Sequence, residues 1–310
     1  MNYHADKLEE REEHRKGTQG RRDHRKTDLP LLANIMDTTR SAKKAREFER
    51  SDGKSFSEKY LDIGSSFDIV GDGALKNKSR LKKAELAPHI QKVGIQSFAG
   101  CTSLHTIHFG NLRQIHRGAF EQCVKLRQAV LPSTVEYVGS EAFRDCKRLE
   151  QAVFVPPSRV TVIQKQTFEG CAQMRSVQLP QDLVSIEAKA FYRCQSLEEI
   201  WFPDSLVSIG REAFYFNGLK SLVFPRHLHT LGDSAFFKSK QLEYVFIPKS
   251  VTHIGKWIFH GSDRLKVLEI HHDPAVIGDW ITNKSTVIRC RKGSKMAAYC
   301  DRFGMQTEWI

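Results

Sequence analysis

The stretch Ile186–Pro203, IEAKAFYRCQSLEEIWFP, decides the fold. Counted from Ile186, apolar residues fall at Phe191, Cys194, Leu197, Ile200 and Phe202, and Pro203 ends the phrase. It restarts at Ile209, with Ala213 and Phe214 in the same places. The same spacing begins at Val70, Val93, Ile115, Val138, Ile163, Ile186, Ile209, Leu231, Ile254 and, degraded, at Ile277. Successive starts are 22 to 25 residues apart. A near-constant period of this length marks a solenoid, because one such unit cannot bury its apolar face alone and needs a stacked neighbour.

Each unit has its own local logic. In L-x-x-I-x-F/L-P the alternation predicts a short strand, with Ile200 and Phe202 facing inward and Trp201 outward. A proline after the last inward residue stops the strand, since it has no N–H for the ladder; Pro132, Pro180, Pro203, Pro225 and Pro248 all stand there. A second apolar pair, such as Leu206 and Ile209, predicts another extended stretch. The following A-F-x-x-C-x-x-L reads as a tight helical turn. Phe98, Phe120, Phe143, Phe168, Phe191, Phe214, Phe236 and Phe259 are expected to stack into one aromatic spine through the coils.

The chain has 310 residues, 40% of them hydrophobic, and a net charge of +12. That charge permits an acidic or nucleic-acid partner without requiring one. No apolar run reaches the about 18 residues of a membrane span. The N-terminus MNYHADKLEEREEHRK is charged and lacks an apolar core, so it does not read as a secretory signal peptide. With neither leader nor anchor, the sequence reads as cytoplasmic. Residues 1–60 carry no repeat and are expected to form a charged, flexible segment. LPLLANIM, from Leu29 to Met36, is its one amphipathic piece, suited to a partner, a membrane surface or the first coil.

Seven cysteines are present, and Cys101, Cys123, Cys146, Cys171 and Cys194 share one repeat position. Their spacing fits no zinc-ligand pattern. Adjacent coils place them roughly 5 Å apart, close enough for a bridge. The same position becomes Asn217, Ser239 and Ser262 later, which favours small buried residues and reduced thiols. In the tail TVIRCRKGSKMAAYCDRFGMQTEWI, a strand is expected from Thr286 to Cys290, then a helix capped by Ser294 and closed by Gly304. Residues 284–310 are therefore expected to cap the solenoid.

The phrases IGREAF, VGSEAFRDCKRLEQAVF and IEAKAFYRCQSLEEIWFP strongly resemble BspA-like, or Treponema pallidum-type, leucine-rich repeats. The resemblance covers residues 70 to about 283 and extends to the KGSKMAAYCDRFG ending. It implies a leucine-rich repeat solenoid, β-rich with short helical turns, of about nine coils of 22–25 residues within residues 61–283. It also implies a non-catalytic binding scaffold, since members of this family are commonly surface or secreted adhesion proteins of bacteria and some protists.

No catalytic constellation emerges. Cys101 with His105 and His108 is the nearest thiol–imidazole grouping, but the ladder position predicts a buried thiol where a reactive one needs exposure. His227, His229 and His253, and the cluster His271-His272-Asp273, read as solvated histidines rather than metal ligands. No cofactor is expected. The outward strand position reads Trp201, Val223 and Phe246 on successive coils, and two residues earlier Glu199, Ser221 and Tyr244. Trp201, Val223, Tyr244 and Phe246, with Glu199 beside them, are expected to form an interaction strip. Either it receives a protein partner, or the N-terminal segment or a second subunit covers it. The alternative function is regulatory or nucleic-acid binding through the basic N-terminal segment.

Overall fold

The computed structural model describes residues 45–64 and 66–310. The described residues belong to one compact unit. The start of each phrase makes a two-residue strand. Among the described residues eleven of these, from Glu47–Phe48 to Val276–Ile277, run parallel in sheets of five and six. Their register is the repeat itself: Ile186 pairs with Ile209, Ile209 with Leu231, and Leu231 with Ile254. The two sheets part between Tyr137–Val138 and Val162–Ile163, which flank the one 25-residue repeat.

The L-x-x-I-x-F segments form a second set of parallel strands, three or four residues long, with alternating exposed and buried residues. They fall into three sheets. The first holds Tyr60–Ile63, Lys83–Leu86 and Thr106–His108; the second holds Gln128–Leu131, Gln151–Phe154 and Ser176–Gln178. The third holds Tyr244–Ile247, Val267–Ile270, Val287–Cys290 and Gln306–Trp309. Residues 199–202 and 221–224, in the two coils between the second and third sheets, are not strands.

The A-F-x-x-C stretch is a run of turns rather than a continuous helix. Its N–H groups alternate between carbonyls of the same coil and of the next: Ala190 N donates to Glu187 O at 3.2 Å, Phe191 N to Ala213 O at 2.8 Å. Lys189 and Arg193 bracket the turn with φ of 58° and 60°. Left-handed backbone disfavours side chains with a Cβ, and Gly118 and Gly170 occupy these places in other coils.

The core is one continuous cluster. The expected spine is present: eight fully buried phenylalanine rings stack in sequence, with centroids from 5.0 Å (Phe191–Phe214) to 5.6 Å (Phe236–Phe259) apart. All seven cysteines are free and buried. Each ladder thiol donates to a main-chain carbonyl of the coil before it, as Cys123 Sγ to Phe98 O at 3.2 Å and Cys194 Sγ to Phe168 O at 3.3 Å. In later coils Asn217 Nδ2 reaches Ser239 Oγ at 2.9 Å, and Ser239 Oγ donates to Phe236 O at 2.8 Å, so polar substitutes satisfy the same position.

The solenoid begins upstream of the boundary expected at residue 61. Glu47–Phe48 pairs with Ile69–Val70, and Tyr60–Ile63 pairs with Lys83–Leu86, which makes a further coil. Its turn is the helix Arg50–Ser55, where a Cβ on Gly53 would lie 1.8 Å from Ala74 O, so only glycine permits this contact. With this coil and the one at Val276–Ile277 the described residues make eleven turns, close to the about nine expected. The rest of the expected N-terminal segment, residues 1–44 with LPLLANIM, lies outside the described residues.

At the other end, Ser294 accepts a hydrogen bond from Ala297 N and Gly304 adopts φ 61° and ψ 46°, bounding the helix Lys295–Phe303. The helix is a crossover: Gln306–Trp309 returns parallel to Val287–Cys290, as parallel pairing demands. Met296, Ala297, Tyr299 and Cys300 turn inward, and Tyr299 Oη accepts from Ile281 N at 2.9 Å. Among the described residues no helix is long and apolar enough to cross a membrane.

Candidate functional site

Trp201 is 79% exposed and Val223 73%, while Tyr244 and Phe246 are 48% and 39% exposed. Glu199 is exposed beside Trp201. The residues between them in sequence go the other way: Ile200, Leu222 and Val245 are buried. The period-2 pattern therefore sets these side chains outward even at 199–202 and 221–224, where no ladder forms.

The interrupted ladder leaves recesses in this face. A groove of about 680 Å³ lies between residues 220–224 and 241–248, walled by Val223, Phe224, Tyr244, Phe246 and Pro248, with Lys220, Glu243 and Arg264 at its rim. A second of about 590 Å³ runs beside Trp201, lined by Arg175, Gln195, Glu198 and Glu199. Phe202 and Phe224 lie beneath this gap in consecutive coils, their rings near-parallel with centroids 6.3 Å apart. The spine beneath holds Phe214 and Phe236 at 5.2 Å.

The strip ends on a charged row. By strand register Phe246 is followed by Glu269, Arg289 and Glu308. Tyr244 Oη donates to Glu269 Oε2 at 2.9 Å, His271 Nε2 meets Glu269 Oε1 at 2.5 Å, and Arg289 Nε bonds Glu308 Oε2 at 2.7 Å. Burial pushes the Glu269 carboxyl up, but the hydrogen bonds from Tyr244 and His271 and the charge of Arg289 outweigh it and hold the group below the usual carboxylate range. The His271 ring stands edge-on to Phe246 at 5.4 Å. Tyr244 is thus anchored by its hydroxyl, while its ring remains half-exposed.

The other singled-out groups are placed as follows. Cys101 is buried, donates to Leu75 O at 3.2 Å, and is pushed up to about 12 by burial, so its thiolate is not available at neutral pH. His105 and His108 line a separate recess of about 1090 Å³ with Lys125, Arg127 and Arg148. His227 and His229 are exposed and bond main-chain oxygens, Asp204 O and His227 O. His272 Nε2 meets Val251 O at 2.7 Å. Among the described residues no group of three or more His, Cys, Asp or Glu could hold a metal ion.

A second aromatic column went unread in the sequence. Tyr192, Tyr215 and Phe237, each following a spine phenylalanine, stack at 4.7 and 5.0 Å, and His260 continues the column tilted against Phe237 at 5.9 Å. Lys189 and Arg193 lie over the Tyr192 ring and Lys238 over Phe237. The doublets Phe191-Tyr192, Phe214-Tyr215 and Phe236-Phe237 were the available signal.

A family model described as BspA type leucine rich repeat region matches residues 54–150 and 152–266, in six copies. The chain belongs to this family. Leucine-rich repeat proteins generally act as protein-interaction scaffolds. Among solved structures, a leucine-rich repeat protein from Bacteroides ovatus is similar over 81% of this chain and 92% of that one, at 18% identity and a TM-score of 0.58. At that identity the likeness shows the fold alone. The Treponema pallidum leucine-rich repeat protein is 27% identical over 58% of this chain and 85% of that one, with a TM-score of 0.43. No curated protein matches the chain.

Proposed function

We propose that this BspA-type protein is a non-catalytic scaffold that binds a protein partner, as in adhesion, through the strand face around Trp201, Val223, Tyr244 and Phe246, with Glu199 at its edge. The observation that carries the reading is the exposure of Trp201 and Val223 on successive coils, beside the groove walled by Tyr244 and Phe246. Large apolar side chains cost solvation where they face water, and aromatic anchors beside a recess are the usual centre of a protein interface. The charged rim of Lys220, Glu243 and Arg264 suits a partner whose apolar residues enter the groove while polar ones meet the edge. Residues 1–60, 61–283 and 284–310 then divide the labour between leading segment, binding face and cap, with the described coil at residues 47–63 extending the solenoid into the first of these. The nucleic-acid alternative rests on the leading segment, and no observation favours it.

The test is capture from native lysate and cell-surface extract by the parent chain, by Trp201→Ala/Phe246→Ala, and by Tyr192→Ala/Tyr215→Ala. A protein held by the parent and the third chain but released by the Trp201/Phe246 variant is the expected result. Equal recovery by all three overturns the assignment of the face.

A further inference from the structure

The second set of strands is already broken once before the aromatic strip. Thr106–His108 closes the first three-stranded sheet and Gln128–Leu131 opens the second, and no ladder joins them. On either side of this break the coils are tied at the start of each strand: His105 N donates to Lys82 O at 2.9 Å, and Glu150 N to Arg127 O at 2.8 Å. Arg127 N, at the same place in the coil between, makes no such bond to His105 O among the described residues. The recess of about 1090 Å³ opens here, and residues of three consecutive coils line it. It brings His105, His108, Lys125, Arg127 and Arg148 together against one carboxylate, Glu150. Arg127 meets that carboxylate at 3.8 Å, while Lys125 and Arg148 are exposed and form no ion pair among the described residues. Glu85 lies beside His108 by strand register, so the surplus of positive charge falls toward Lys125 and Arg148. The lining is apolar in part: Ile107 and Phe109 are buried in it, and Val130 is 49% exposed.

We propose that this recess is a second binding site, for an acidic protein segment in extended form, with carboxylates on Lys125, Arg127 and Arg148 and an aliphatic side chain on Val130. Guanidinium and ammonium groups without a partner of their own are ready donors to carboxylates, and the planar fork of Arg148 can hold one with two bonds. A ligand that carries only sulfates or phosphates would leave Val130 facing water, whereas carboxylates alternating with aliphatic side chains satisfy both parts of the lining. Three coils about 4.8 Å apart span about 10 Å, which three residues of extended chain cover at about 3.3 Å each. The site shares no lining residue with the grooves beside Trp201 and Tyr244, so it stands or falls separately from the aromatic strip. Charge here sets the orientation and the rate of encounter, and the apolar contact selects among acidic segments.

The probe is a rhodamine-labelled peptide alternating glutamate and leucine, titrated with the full chain at low salt and read by fluorescence anisotropy. Saturable binding that weakens with added sodium chloride is expected. Lys125→Gln/Arg148→Gln should weaken it about tenfold, and Val130→Ser should weaken this peptide but not polyglutamate. Arg291→Gln/Lys292→Gln removes the same charge from an exposed turn before the C-terminal helix, and should bind as the parent does. Trp201→Ala/Phe246→Ala should also bind unchanged. No saturable binding, full binding by the Lys125/Arg148 variant, or an equal loss in the Arg291/Lys292 variant would each overturn the proposal. So would loss in the Trp201/Phe246 variant, or tighter binding of a heparin tetrasaccharide or duplex DNA through Lys125 and Arg148.

Discussion

Phe191 lies fully buried between Phe168 and Phe214, at 5.3 and 5.0 Å. Its ring belongs to one coil, but its stacking partners belong to the two beside it. Phe191→Ala removes contacts across both inter-coil interfaces and leaves a cavity that stacked backbones cannot collapse to fill. A loss of about 3–5 kcal/mol in urea unfolding is expected, and a loss below about 1 kcal/mol would mean that the spine is not the main inter-coil contact. The thiols below the spine give a second residue-scale prediction. Burial pushes Cys101 from an ordinary 9.0 up to about 12, and raises Cys123, Cys146, Cys171 and Cys194 as well. Unfolded, these thiols ionise near 9.0; folded, they stay protonated, so their contribution is complete below about pH 9 and lost as pH rises toward 12. Urea unfolding from pH 7 to 11 should show the loss, and Cys123→Ser/Cys171→Ser should lessen its slope. Serine fits because Ser239 and Ser262 already stand at this position. An unchanged slope would remove the thiols from the account.

The single coil is the element, and here sequence and structure part company in instructive places. The phenylalanine period, the prolines, Ser294 and Gly304 were legible because each acts within one coil or between identical neighbours. The first coil was not: Phe48, Leu61 and Ile63 carry its burial without any A-F-x-x-C phrase, its turn being a helix. Nor was the broken ladder, since Leu197, Ile200 and Phe202, and then Leu219, Leu222 and Phe224, keep the motif intact. In these two coils the Phe202 and Phe224 rings stand 6.3 Å apart, wider than the spine rings Phe214 and Phe236 beneath them at 5.2 Å. Replacing both by leucine, the residue at 131 in the second sheet, should let these segments pair. Slowed amide exchange at residues 199–202 and 221–224 is the expected outcome; unchanged exchange would mean that something other than the two rings sets the spacing.

Over the whole molecule, stacking produces two aromatic arrays of different character. The column of Tyr192, Tyr215, Phe237 and His260 is half-buried, its rings in contact with one another and covered in part by Lys189, Arg193 and Lys238. The strip of Trp201, Val223, Tyr244 and Phe246 faces water beside a recess. A fold that repeats one backbone thus makes one array packed on itself and another that faces water, and surface residues of this kind can change without altering the solenoid. Hydroxyl-radical footprinting of the captured complex, read separately at each tryptophan, tests the account most directly. Trp201, 79% exposed when the chain is alone, should be protected, while Trp257, 42% exposed on a turn of a later coil, should react as before. Protection of Trp257 with Trp201 still open would contradict it.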